Sequence, residues 1–111
     1  MERERIEYHK KIREHLSSSY LLSEEKIDAV LPRFLETIKK LMSELDDLAA
    51  MKKTDALGRS GHAMKGALLN LGLHDLAEKA FSIEKHEQIC STHQDCVQLV
   101  DELKQEIKKI I

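Results

Sequence analysis

The chain has 111 residues, enough for one domain that buries its core without metal or disulfide support. Charged residues make up 34% and apolar ones 41%, with one proline and four glycines, which is the composition of a helical protein and argues against a sheet domain or a disordered tail. Eighteen basic against twenty acidic side chains leave a formal charge of -2, which offers no basic field for nucleic acid and no polybasic membrane patch, so a protein partner is expected.

No run approaches the ~18 apolar residues of a membrane span, and Met1-Glu2-Arg3-Glu4-Arg5 lacks the apolar core of a signal peptide. The chain is therefore expected in the cytoplasm. In that reducing compartment Cys90 and Cys96 are expected to be free thiols.

Residues 2–16 read as a weakly amphipathic first helix with Ile6, Ile12 and Leu16 as anchors, and Ser17-Ser18-Ser19-Tyr20 breaks its pattern. Ser23 before Glu24-Glu25 is a good N-cap for a second helix, with acids where the helix dipole favours them. Along that helix Ile27, Val30, Leu31, Phe34, Leu35, Ile38, Met42, Leu45 and Leu48 keep three-four spacing, so it forms the spine of the core. Pro32 inside it predicts a kink. Thr54 and Asp55 begin a third helix that Gly72 ends as a C-terminal cap. A fourth is expected from Leu73 or His74 to Cys90, burying Leu76, Ala77, Ala80 and Ile83. The last, capped by Ser91 or Thr92, buries Cys96, Val100, Leu103, Ile107 and Ile110. Short connections between long helices imply antiparallel neighbours. The expectation is an all-α, up-down antiparallel four-helix bundle with an additional N-terminal helix, in one domain: residues 1–22 the N-terminal helix and loop, residues 23–111 the bundle.

The third helix carries a histidine where a core residue would be a poor choice. At about 100° per residue, Leu57, Gly61, Met64, Leu68 and Leu71 share one face and His62 points roughly 140° from its centre. Arg59 and Lys65 lie one turn before and after it, a placement suited to phosphate more than to an ordinary solvated face. Gly66 gives up about 1 kcal/mol against alanine inside a helix, and room for a partner to approach His62 would explain it. Leu69, on the same side, suits a docking surface.

In a hairpin turning near Leu73, His62 and Glu84 are each eleven positions from the turn and stand level. Glu84 falls within an apolar face and needs a partner. An imidazole N–H is one, and a lysine is another. Pairing with the imidazole would fix its tautomer and leave Nε2 as an outward nucleophile. A separate constellation, His86, Cys90, His93 and Cys96, has the residue types of a zinc site across a helix-turn-helix. It would make the chain a zinc-stapled, non-phosphorylated interaction module instead.

His62-Ala63-Met64-Lys65-Gly66 followed by Gly72-Leu73-His74-Asp75-Leu76 resembles the signature of histidine-containing phosphotransfer (HPt) domains: His, Lys at plus three, Gly at plus four, Gly at plus ten. Glu84 matches the Glu or Gln that the family carries at plus twenty-two. Gly61, where the family usually has Ala, and Leu68, where it usually has a small residue, depart from the pattern. The resemblance implies that His62 is phosphorylated, with Lys65 and Arg59 stabilising the phosphoryl group, Glu84 orienting the ring, and Gly66 and Leu69 meeting a receiver domain. It implies a two-component phosphorelay with response-regulator receivers and a hybrid sensor histidine kinase as partners, no cofactor, no metal, no kinase or phosphatase activity of its own, and a monomer that binds neither nucleic acid nor membrane.

Overall fold

The computed structural model describes residues 2–111 and places six helices and no strand among them: α1 (Glu2–Tyr20), α2 (Glu24–Ala50), α3 (Thr54–Asn70), α4 (His74–Glu84), α5 (His86–Ile89) and α6 (His93–Ile107). Met1, the first residue of the expected N-terminal segment, lies outside the described residues. No described helix is long and apolar enough to cross a membrane.

Capping chemistry sets three of the boundaries. The Ser23 hydroxyl accepts from the Lys26 amide and starts α2. Thr92 starts α6 through a reciprocal box, accepting from the Asp95 amide while the Asp95 carboxylate accepts from the Thr92 amide. At the end of α3 the Gly72 amide donates to Leu69 and the Leu73 amide to Leu68, with Gly72 at φ 75, the left-handed cap that glycine adopts freely. Lys52 takes the same left-handed position after α2, at φ 56, at the steric cost that a Cβ brings.

Helix α2 packs on α3, α3 on α4, α4 on α6 and α6 back on α2, closing a four-helix ring around one core. Ile27, Ile38 and Leu45 of α2 meet Leu57, Met64 and Leu68 of α3, Ala80 and Ile83 of α4, and Leu103 and Ile107 of α6, all buried. The described residues measure 45 × 26 × 19 Å, and α2 runs through Pro32 as one helix.

Two expectations change. Helix α1 continues through Ser17–Tyr20, an exposed turn in which the Ser18 hydroxyl donates to the Glu14 carbonyl within the helix and the Tyr20 ring meets His15 edge-on, so the serines are accommodated without ending the helix. The single fourth helix to Cys90 is broken: α4 stops at Glu84, Lys85 leaves helical geometry, and α5 is one turn.

Helix α1 buries only Ile12 and Leu16 fully. Polar contacts hold the rest of it. The Tyr8 hydroxyl donates to Glu106, His9 Nε2 donates to the Ile110 carbonyl at 2.7 Å, Lys109 pairs with Glu4, and Arg13 pairs with Glu24 and Asp28. The His15 ring lies on Gly72 so closely that a Cβ there would meet it at 2.4 Å.

Candidate functional site

The hairpin of α3 and α4 forms the most extensive helix contact in the molecule, and two glycines one turn apart on α3 let it close. A Cβ at Gly61 would stand 2.8 Å from the Glu84 amide nitrogen and 3.2 Å from the Ala80 carbonyl. One at Gly58 would stand 3.3 Å from the Glu84 carbonyl oxygen. The Glu84 peptide is seated against bare backbone. Gly61 therefore does what its place on the buried face foretells, and more tightly than alanine allows.

From that seat the Glu84 side chain reaches both residues expected of it. Oε2 lies 3.2 Å from His62 Nδ1 and Oε1 lies 2.9 Å from Lys65 Nζ, so imidazole and lysine are partners at once, not alternatives. The carboxyl is held below the usual carboxylate range, chiefly by Lys65 and then by His62, against the opposing effect of burial. It is a carboxylate at neutral pH and accepts from Nδ1. The ring then carries its lone pair on Nε2, and the His62 side chain is 67% exposed.

Arg59 is exposed on the same side and lines, with Thr54, Asp55, His62, Lys85 and Glu87, an open groove of about 600 Å³ beside the imidazole. Gly66 faces open space, with nothing within 4 Å of where its Cβ would be. Leu69 is 41% exposed. All six expected residues thus fall on one side of the α3–α4 hairpin or along its seam.

Phe81 escaped the sequence reading. It is 43% exposed, its ring lies 4.9 Å from Lys65 Nζ, and with Leu69, Ala77 and His74 it lines a small hollow next to the site. The available signal was an aromatic one turn before Glu84 yet off the Leu76–Ala77–Ala80–Ile83 face. The sequence offers His86 only as a metal ligand. It is buried, and its Nδ1 donates to the Ile83 carbonyl at 2.9 Å.

The zinc constellation does not assemble. His93 spends Nε2 on the Ala49 carbonyl, His86 spends Nδ1 on Ile83, and no three His, Cys, Asp or Glu side chains gather as a metal site among the described residues. Both cysteines are free, Cys96 in the core, and burial with the neighbouring Cys96 pushes the Cys90 thiol up to about 11.

The family model described as Hpt domain matches residues 29–111, which covers α2 from its second turn onward and the whole of α3, α4, α5 and α6. No curated protein and no solved structure matches the chain significantly.

Proposed function

The chain belongs to the Hpt domain family, which serves phosphotransfer in two-component signalling and generally engages receiver domains, and on that premise we propose that it carries a phosphoryl group on His62 between receiver aspartates. The observation that carries the reading is the exposed imidazole with Nδ1 held by Glu84. Nε2 attacks the phosphorus of a receiver's phospho-aspartate in line. The N–P bond forms as the P–O bond to the aspartyl carboxyl breaks, and the aspartate leaves as carboxylate. The ring gains positive charge in that step, and the Glu84 carboxylate at 3.2 Å favours it. Transfer to a second receiver is the same exchange run the other way.

Lys65 and Arg59 supply cationic charge to the phosphoryl oxygens, Lys65 by sharing itself between Glu84 and the incoming group. Gly66 and Leu69 form the floor against which the receiver sits. Acidic residues and magnesium belong to the receiver, so this chain needs no nucleotide and no cofactor of its own. Incubation with a phosphorylated receiver is expected to label the wild type and leave His62→Gln unlabelled. Label retained by His62→Gln would overturn the assignment.

A further inference from the structure

The position of the Glu84 carboxylate depends on where α4 stops. Glu84 is its last residue, Lys85 departs from the helix at φ -100 and ψ 23, and the chain turns immediately into α5. Carbonyls in the last turn of a helix lack intrahelical partners, and the one at Ile83 is taken by the His86 side chain. A carbonyl only accepts, so the proton of that bond is on Nδ1. His86 Nε2 is buried with no partner at all, and the residue is 3% exposed. Burying an imidazole for one hydrogen bond costs the desolvation of its other nitrogen, so an apolar side chain would serve better if packing were all that mattered here. The same ring stands 3.8 Å from the place of a Gly58 Cβ, which would also be 3.3 Å from the Glu84 carbonyl oxygen.

We propose that His86 is a positioning residue for phosphoryl transfer: its bond to the Ile83 carbonyl, with the Gly58–Gly61 notch, holds the Glu84 peptide so that the carboxylate meets His62 Nδ1. The proposal rests on the reading of His62 as the phosphoryl acceptor, but its first consequence concerns the imidazole itself. Because Glu84 selects the Nδ1–H tautomer of His62, loosening the Ile83–Glu84 backbone releases that selection.

The ¹⁵N chemical shifts of the His62 ring, which distinguish the two neutral tautomers, are measured alongside uptake from a phosphorylated receiver. His86→Leu is expected to move the His62 shifts away from the Nδ1–H tautomer and to slow uptake by up to about a hundredfold, the loss that a misplacement of about 1 Å can bring. His86→Asn, whose amide can still donate to Ile83, is expected to recover both readouts. In a Glu84→Ala background His86→Leu is expected to add nothing, because it acts through Glu84. Unchanged His62 shifts in His86→Leu, or a full further loss in the Glu84→Ala background, would overturn the proposal. Should His86→Leu fail to fold, Gly58→Ala replaces it, since its Cβ presses on the Glu84 carbonyl and must move the same shifts if the notch positions the carboxylate. A wild type that takes no label would end the phosphotransfer reading, while the ring shifts would still decide the role of His86.

Discussion

The seam between α3 and α4 and the seam between α1 and the bundle are built in opposite ways. At the first, Gly58 and Gly61 bring backbone to backbone, and the helices lock over Leu57, Met64, Ala80 and Ile83. At the second, two buried side chains, Ile12 and Leu16, are supplemented by a phenol, histidines and ion pairs reaching across the gap. A site that must hold a carboxylate oxygen 3.2 Å from an imidazole nitrogen is placed on the first kind. Backbone contact leaves no rotamer to relax, whereas side-chain bridges are individually weak and adjustable.

The largest expected effect falls on the adjustable seam. Leu16→Ala is expected to cost about 2–5 kcal/mol, as buried leucine truncations do, because Leu16 is half of the apolar anchorage of α1. Hydrogen exchange is expected to show α1 amides losing protection ahead of α3 and α4. Equal loss in all helices would mean that the two seams are one cooperative unit.

The same substitution at two positions of α3 sharpens the contrast. Gly61→Ala gains helix propensity but drives a Cβ against the Glu84 backbone and the Ala80 carbonyl, so a net loss of about 1–3 kcal/mol is expected. Gly66→Ala meets open space and is expected to stabilise by roughly 0.5–1 kcal/mol. Chemical denaturation of both variants checks the opposite signs. A neutral or stabilising Gly61→Ala would show that the seam yields after all.

The smallest effect is common to both seams. Glu84 is depressed by Lys65 and then His62, and Glu106 by Lys109 and then Tyr8, each against burial. A depressed carboxyl contributes stability that is present above its unfolded value, about 4.3, and is lost as pH falls through the lower folded value. Stability is therefore expected to decline below about pH 4.3, and Lys65→Met is expected to flatten part of that decline. Denaturant midpoints measured across the acid range for wild type and variant test it, and parallel curves would remove Lys65 as the cause.

What sequence by itself determined is what local periodicity and capping control. Three-four spacing placed α2 and the buried faces of α3, α4 and α6, Ser23, Thr92 and Gly72 marked ends, and the level placement of His62 and Glu84 follows from counting residues on either side of a tight turn. Tertiary structure decided what depends on groups far apart along the chain. That the His15 ring of α1 lies on Gly72, with Tyr20 edge-on to it, depends on the α3–α4 turn being brought against α1. That Glu84 serves Lys65 and His62 together depends on the depth to which Gly58 and Gly61 admit α4, a distance that no spacing rule carries. The break at Lys85 and the burial of His86 have the same origin. A helical pattern read to Cys90 continues because propensity is local, while α4 stops at Glu84, where a buried histidine takes the Ile83 carbonyl.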